Sequence, residues 1–411
     1  MLTYFPMPYP GEWWYSVLCR YHVRSGNIKQ QTTIRELFPG RITAAISSIF
    51  PNSTIRQVIE QLPSDWLLPE AVITQNTLFP YYTRFFLAEK KTALLEKACL
   101  GETPTITSLR RSANLSKWRP RYCPQCAEED RAIYGEAYWH IEHQIPFLKI
   151  CPNHKCSLYV LEEIQPSHLG YTFYPLEAQV LCLDRCKDIP LWQRTVASIL
   201  WEYETLPLKP AIAENHNHIA ACLSNMGYGV IQNHSPNVIL DAKRLYQDMA
   251  DYYSPEVMED IFGDVCIINR ACKWGTASPE RYALLQSFAG VSSETVFSDR
   301  PVSDHYADEL KVLQCSGTHL TKKQVLEQLS VTPSQLNILL KKYHLEPFWR
   351  QMGGECAELG RHRFSFALND EEFARFKQAL RKSGYRYDSH FIRQCVMAYI
   401  DANQKEGSGD N

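Results

Sequence analysis

Arg121-Tyr122-Cys123-Pro124-Gln125-Cys126 and, one loop later, Ile150-Cys151-Pro152-Asn153-His154 decide how the middle of this chain folds. They form a Cys-x-x-Cys clip and a Cys-x-x-His clip, and each clip can supply two corners of a tetrahedron from one tight turn. Four protein ligands close the coordination shell, so structural rather than catalytic zinc is predicted. The alternatives are chance cysteines or a redox Cys-x-x-Cys, which would need a βαβ context that the sequence does not show. The predicted Zn2+ ligands are Cys123, Cys126, Cys151 and His154.

The residues around the clips are more specific than the clips themselves. Between the clips runs Tyr-Gly-Glu-Ala-Tyr-Trp-His-Ile-Glu-His-Gln, residues 134–144. Upstream lie three blocks, Pro-Tyr-Pro-Gly-Glu at 8–12, Arg-Tyr-His-Val-Arg-Ser-Gly-Asn at 20–27 and Thr-Leu-Phe-Pro-Tyr-Tyr at 77–82. Together they resemble the TniQ/TnsD family of bacterial transposon target-site selectors. The resemblance is close over about residues 6–160 and diffuse afterwards, where 278–285 looks like the family's proline-led helix.

The resemblance implies a non-catalytic adaptor. Such proteins recognise an attachment site on double-stranded DNA, or an RNA-guided CRISPR effector complex, and recruit a TnsC-type AAA+ ATPase that activates the transposase. The family's zinc ligands carry over to the four residues of the two clips. Some members have a second zinc knuckle, of which Cys156, Cys182 and Cys186 would be the remains. Three cysteines do not complete a ligand set, so one zinc is favoured over two.

Composition predicts an intracellular, multidomain protein. The chain has 411 residues and a net charge of -2, which excludes a globally basic nucleic-acid coat. Its first residues lack a signal-peptide pattern, and no apolar run approaches the ~20 residues that span a bilayer. Without export, the 14 cysteines should stay reduced, as zinc ligands and buried hydrophobes. We therefore expect a cytoplasmic protein that acts on the bacterial nucleoid and does not contact a membrane.

Hydrophobic spacing predicts a mainly α-helical protein. Trp14, Val17, Leu18 and Tyr21 recur at helical spacing within residues 11–24, and further helices are predicted at 85–99, 192–201, 236–253 and 255–262. The predicted domains are a TniQ-like helical domain (1–100), a zinc-binding domain (101–190), a helical middle domain (191–300), a helix-turn-helix (305–350), a ribbon-helix-helix-like module (355–405) and a flexible tail (406–411).

The helix-turn-helix prediction rests on two helices joined by Ser330-Val331-Thr332. The first spans 321–329, and Pro333 opens the second, which runs to Tyr343. The second helix buries its leucines and turns amides and ammonium groups outward, and these suit base edges and phosphates respectively. A plain helical hairpin with a solvated lysine pair is the alternative. The predicted DNA contacts are Gln335, Asn337, Lys341 and Lys342.

A second DNA-binding pattern follows. Residues 361–368 alternate polar and apolar residues as a strand does, Asn369 or Asp370 caps a helix through Arg381, and a second helix spans 389–400. Strand, helix, helix resembles the ribbon-helix-helix module, in which two chains form a homodimer and place a paired ribbon in the major groove. Phe364, Phe366 and Leu368 would be core, and Arg361, Arg363 and Ser365 would face the bases.

Two basic runs remain open to more than one interpretation. Residues 375–393 carry six basic side chains against Asp388 alone, which suggests phosphate contacts or a solvated face. The run from Arg110 to Arg121 precedes the first clip. It could hold nucleic acid, dock an acidic partner or be a solvated linker.

Enzyme functions fit the sequence less well. An HNH-type nuclease would use Glu142-His143 beside two knuckles, but its second knuckle usually supplies two cysteines. A zinc deaminase would need its Pro-Cys-x-x-Cys after His140-Ile141-Glu142, whereas here the cysteines come first. Hydrogen-bonded core histidines are the preferred interpretation of His140 and His143. No phosphate-binding loop is present, so ATP hydrolysis would belong to a partner. The remaining alternative to a target-site selector is a zinc-containing transcription regulator.

Overall fold

The computed structural model describes residues 2–40, 44–102, 119–161, 164, 168, 170–179, 189–208, 218–231, 238–271, 278–298, 305–315, 320–349, 367–383 and 388–406. Over these residues the protein is mainly helical, as predicted. None of the helices in these ranges has the length and hydropathy of a membrane span. The chain divides into two compact units, one comprising 1–317 with 325–347 and the other 318–324 with 348–411.

Short helices build the N-terminal part of the first unit. Helix α1 ends where predicted, because Ser25 caps it and Gly26 follows with a φ of 74° that glycine adopts without strain. Phe85 lies outside the helix predicted for 85–99, which begins at Ala88. The helices are α1 (Trp14–Arg24), α2 (Gln30–Leu37), α3 (Ser53–Ile59), α4 (Pro69–Asn76), α5 (Phe79–Thr83), α6 (Ala88–Cys99) and α7 (Pro124–Tyr134).

The helix predicted at 278–285 begins with proline and ends with glycine. Pro279 occupies the first turn of the proline-led helix, and Gly290 ends it in the left-handed conformation. The helices are α8 (Leu191–Thr205), α9 (His218–Leu223), α10 (Ala242–Tyr253), α11 (Pro255–Ile261), α12 (Val265–Ala271), α13 (Pro279–Ala289), α14 (Ser293–Val296), α15 (His305–Cys315), α16 (Lys322–Gln328) and α17 (Pro333–Lys342).

The helix predicted for 236–253 is wrong at its N-terminal end. Residues Val238–Leu240 form strand β4, which pairs antiparallel with β3 (Gly229–Ile231). Val-Ile-Leu has strand propensity, and the local pattern did not reveal its partner strand. Asp241 then accepts a hydrogen bond from the Arg244 N–H and so caps α10, where the helix begins.

One hydrophobic core joins the helices of residues 1–100, the residues around the two clips and the helices after residue 190. Its largest fully buried side chains include Trp13, Trp139 and Tyr203. The backbone N–H of Trp13 donates to the carbonyl of Trp139 at 2.8 Å, which holds the start of α1 against the segment between the clips. The Tyr203 hydroxyl donates to Gln286 at 2.6 Å and so links α8 to α13. The clips are therefore supported by helices from both sides.

The described residues after 366 form helices α18 (Asp370–Ser383) and α19 (Asp388–Glu406) of the second unit. Asn369 caps α18 as predicted, since its side chain accepts the Glu372 N–H at 2.9 Å. The ring centroids of Phe376 and Phe391 lie 5.7 Å apart, so the two helices pack together. The strand predicted for 361–368 falls mostly outside the described residues. Leu368, predicted to be core, belongs to no strand of the described residues and is 38% exposed.

Candidate metal centre

The first clip is built on the start of a helix. Cys123 is the N-cap of α7, Pro124 occupies its first position, and Cys126 lies in its first turn. Proline suits that position because its fixed φ matches the helix and its missing N–H would have no partner there. The Ala127 N–H donates to the Cys123 carbonyl at 3.0 Å. This turn brings both sulfurs to the same side of the helix start.

The second clip is a tight turn. The Lys155 N–H donates to the Cys151 carbonyl at 2.7 Å, and the Cys151 N–H donates to the Cys156 carbonyl at 2.8 Å. Lys155 adopts a φ of 55°, in the left-handed region that non-glycine residues seldom occupy. Strand β1 (Arg121–Tyr122) pairs antiparallel with β2 (Tyr159–Val160), with Tyr122 opposite Tyr159. Because one strand precedes the first clip and the other follows the second, the pairing brings the clips together.

The four predicted ligand atoms converge. All lie within 4.8 Å of one another. The Sγ atoms of Cys126 and Cys151 are 3.7 Å apart, and the Nδ1 atom of His154 lies 3.3 Å from Cys126 and 3.5 Å from Cys123. Tetrahedral ligands at about 2.3 Å from zinc would be roughly 3.8 Å apart. The separations therefore fit a small tetrahedral ion, and this Cys3His cluster can hold a metal.

A carboxylate orients the histidine. The Nε2 atom of His154 lies 2.9 Å from Glu129 Oε1, while Nδ1 faces the three sulfurs. Burial acts to lower the pKa of His154, but the hydrogen bond to Glu129 and the neighbouring Cys123 outweigh it and raise the pKa. A carboxylate on the far nitrogen of a ligating histidine fixes the ring and strengthens it as a ligand. Sequence spacing did not single out Glu129, because an acidic residue on α7 resembles any solvated helix position.

Cys156 belongs to this cluster and not to a separate site. Its Sγ lies 3.3 Å from that of Cys123, and its side chain is buried. Hydrogen bonds from Cys126, Cys151 and Cys156 lower the pKa of the Cys123 thiol. The other two cysteines of the predicted second knuckle, Cys182 and Cys186, lie outside the described residues. The tight turn that aims His154 at the cluster also places Cys156 there, two residues later.

His143 lies in the wall of the cluster. It is only 1% exposed, and its Nε2 atom is 3.8 Å from the Cys126 Sγ. Burial lowers the pKa of His143 well below its usual value, so the ring is neutral. A nuclease histidine must reach a DNA phosphate, which a ring at this depth cannot do. The arrangement agrees with the preferred interpretation of His143 as a core histidine.

His140 is likewise a hydrogen-bonded core residue. Its Nε2 atom lies 3.0 Å from Asp130 on α7. Burial acts to lower the pKa of His140, but Asp130 and Glu142 outweigh it and raise the pKa. The backbone at Gly11 lies close to the side chain of Glu142. Gly11 has a φ of 64°, and a Cβ atom added there would lie 2.6 Å from Glu142 Oε1. Glycine at position 11 therefore lets the Pro-Gly-Glu block approach the segment between the clips.

A buried ion network ties the same two segments together. Arg20 Nη1 donates to Glu12 at 2.7 Å, and Arg20 Nε donates to Glu136 at 2.9 Å. Burial raises the pKa of Glu12 to about 7, and the charge of Arg20 limits that rise. Arg24 at the surface also pairs with Glu136. Burial acts to raise the pKa of Glu136, but the two arginines outweigh it and lower the pKa.

The predicted DNA-contacting residues of α17 have different surroundings. Asn337 and Lys341 are exposed, and Lys342 is half-buried with its ammonium 4.9 Å from the Tyr343 ring. Gln335 is half-buried, and its side-chain oxygen accepts the Thr332 N–H at 2.8 Å in a capping box. The glutamine therefore stabilises the start of α17, a role that the pattern Thr-x-x-Gln indicates.

The basic runs are only partly described. Arg361, Arg363 and Ser365 lie outside the described residues, as does most of the run before the first clip. Arg121 of that run is structural, because its guanidinium donates to the carbonyls of Pro146 at 3.1 Å and Leu148 at 2.7 Å. Arg121 is thus not part of a nucleic-acid surface.

Comparison with known proteins locates the similarity over the same segments. Residues 3–158 match the sequence model of the TniQ family. The Escherichia coli transposon Tn7 transposition protein TnsD is 28% identical over 196 residues, which cover 45% of this chain and 36% of that protein. The chain thus matches little more than a third of the relative's length. Residues 3–158, which match the family model, contain the N-terminal blocks, both clips and all four candidate ligands.

Proposed function

Because residues 3–158 form a TniQ-family domain, we propose that this protein selects the target site for a transposon. In this proposal it binds double-stranded DNA at an attachment site in the cytoplasm and recruits a TnsC-type AAA+ ATPase. The observation that carries the proposal is that the family's N-terminal blocks share one core with the residues that flank a Cys3His cluster. Similarity to a Tn7 transposition protein supports it.

The metal in this proposal is structural zinc. Three thiolates and one imidazole suit Zn2+ and leave no position for a substrate. Zinc would hold the two clips, and therefore α7 and the segment after it, against the N-terminal helices. The zinc would be bound by Cys123, Cys126, Cys151 and His154 and would stabilise the fold. No chemical step would take place at the metal.

DNA reading is assigned to the C-terminal segments. Helix α17 would place Asn337 against base edges and Lys341 against phosphates. In the second unit, Phe373, Val396, Met397 and Tyr399 are exposed apolar side chains. A second copy of the chain would cover such side chains, as the predicted ribbon-helix-helix homodimer requires. A CRISPR effector complex is the alternative way of finding the target, and it would need no sequence reader in this chain.

The first test of the proposal is a footprint. The purified chain is expected to protect one attachment site adjoining its transposon, and to retain the AAA+ ATPase of the same element in a co-purification with that DNA. A scrambled duplex of equal length is the control. A protected promoter without ATPase retention would instead identify a transcription regulator, and protection only in the presence of an RNA-guided complex would remove direct reading.

Two substitutions on α17 are expected to distinguish sequence-specific DNA binding from general affinity for DNA. Asn337→Ala is expected to cost ~1 to 3 kcal/mol at the preferred site and little on random DNA, because an amide can form paired hydrogen bonds to a base. Lys341→Ala is expected to weaken binding to both duplexes and to reduce the salt dependence, because counterion release is lost. Titrations at several salt concentrations measure both effects. Equal losses for Asn337→Ala on the two duplexes would show that α17 does not read bases.

A further inference from the structure

A cavity of about 530 Å3 lies at the C-terminal end of α8. Its wall is partly apolar and partly charged, with side chains of both signs. It is lined by Leu206, Pro207 and Phe297 together with Ser293, Arg84 and Lys91.

Lys91 is the unusual member of this wall. It lies on α6, it is only 8% exposed, and it also lines an adjoining cavity of about 430 Å3. Within the described ranges its ammonium group has no hydrogen-bond acceptor and no ion pair. Burial lowers the pKa of Lys91 to about 8, and the nearby charge of Arg84 contributes to that lowering. Because Lys91 lines both cavities and has no partner in these ranges, its ammonium group has donors available for a ligand.

Arg84 adds a positive charge to the cavity wall, but its N–H groups already donate hydrogen bonds to backbone carbonyls. Its Nε donates to the Tyr203 carbonyl at 2.8 Å and its Nη1 to the Pro207 carbonyl at 2.9 Å, with further bonds to the carbonyls between. These are the carbonyls at the C-terminal end of α8, which lack partners within the helix. Arg84 therefore closes the helix end, and Lys91 is the donor left for a bound molecule.

The acidic residues around the cavity limit the charge of that molecule. Glu202 and Glu294 line the same cavity, and Glu70 and Glu204 line the adjoining one. Glu204 is engaged elsewhere, because its carboxylate accepts the Tyr81 N–H at 2.9 Å. Glutamates in the lining repel a polyanion such as a DNA backbone. A ligand for this cavity would therefore need a single negative charge and an apolar surface that packs on Phe297. A molecule with one carboxylate and an apolar body has both.

We propose that this cavity binds a carboxylate carried on an apolar body, with the Lys91 ammonium donating to the carboxylate and Phe297 and Leu206 packing on the apolar part. The carboxylate could come from a free small acid or from a polypeptide chain end, which share this chemistry. The site is independent of metal binding and DNA reading.

Calorimetric titration of the full chain tests the site. Benzoate is expected to bind, whereas benzamide, which has nearly the same shape without the charge, is expected to bind at least ~10-fold more weakly, because a charge-assisted hydrogen bond is lost. Lys91→Met keeps the length of the side chain without its charge and is expected to reduce benzoate binding by a similar factor. Lys90→Met is the matched control, since Lys90 is the exposed neighbour on the same helix, and it should bind as wild type.

Two further arms complete the experiment. Acetyl-Ala-Ala-Phe with a free carboxylate, compared with its amide, tests the polypeptide source: tighter binding than benzoate assigns a chain end, and equal or weaker binding assigns a small acid. Trace acetylation of the wild type with acetic anhydride needs no variant, and benzoate is expected to protect Lys91 but not Lys90. Equal binding of benzoate and benzamide, tighter binding of inorganic phosphate, or no protection of Lys91 would overturn the proposal.

Discussion

Cys123→Ser is expected to release the zinc and unfold the segment between the clips. Structural zinc contributes roughly 10 to 16 kcal/mol of apparent binding free energy in small peptides at neutral pH. That contribution exceeds the total stability of most domains. The variant should therefore contain far less than one zinc per chain and lose the cooperative thermal transition of the first unit. Metal analysis by mass spectrometry and a thermal melt followed by circular dichroism measure the two effects.

Cys156→Ser is the matched control, because Cys156 is a buried thiol in the same cluster. It is expected to keep one zinc and to melt within a few degrees of wild type. If Cys156→Ser lost zinc and His154→Ala kept it, the fourth ligand would be Cys156, and the assignment of His154 would be wrong. One zinc per chain in Cys123→Ser would contradict the whole ligand set.

Arg20→Met is expected to cost about 3 to 5 kcal/mol of unfolding free energy, the range observed when one partner of a buried ion pair is removed. It leaves Glu12 fully buried and Glu136 half-buried without their shared partner. Arg24→Met is the control, because Arg24 pairs with the same Glu136 but its side chain is 40% exposed. The control should cost less than about 1 kcal/mol. Urea denaturation of the zinc-loaded proteins measures both.

The cost of Arg20→Met should also depend on pH. The folded-state pKa of Glu12 is about 7, above its usual 4.5, chiefly because the side chain is buried. A raised pKa gives stability that is present below 4.5 and is lost as pH rises through the folded pKa. Removing Arg20 raises that pKa further, so the variant goes on losing stability above pH 7 when wild type has stopped. A cost that is equal at pH 6 and pH 8.5 would contradict this account.

The Cys3His cluster could be predicted from the sequence more fully than the residues that surround it. Ligand spacing within a clip is a local property, so the four donors converge as expected. The contributions of Glu129 and Cys156 depend on how a helix face and a turn meet in space, and no spacing rule reports that. The strand at Val238–Leu240 was missed for a related reason, since its pairing partner is not apparent from its own residues.

In the C-terminal segments, some side chains have surroundings that differ from those predicted from the sequence. Gln335 was assigned to base reading from its outward position, yet its oxygen caps the helix start. Leu368 was assigned to a core, yet its side chain is exposed. A side chain that can serve either local structure or a partner cannot be assigned from periodicity alone.

The contact between Trp13 and Trp139 has a consequence for synthesis on the ribosome. Trp13 is synthesised before Trp139, and the second clip, at 151–154, is synthesised later still. The contact that covers the start of α1 can therefore form only after the segment between the clips has left the exit tunnel. Nascent chains released before that point would expose the tryptophans and aggregate. Ribosome pausing after residue 160 would give the N-terminal segment time to fold before the C-terminal helices appear.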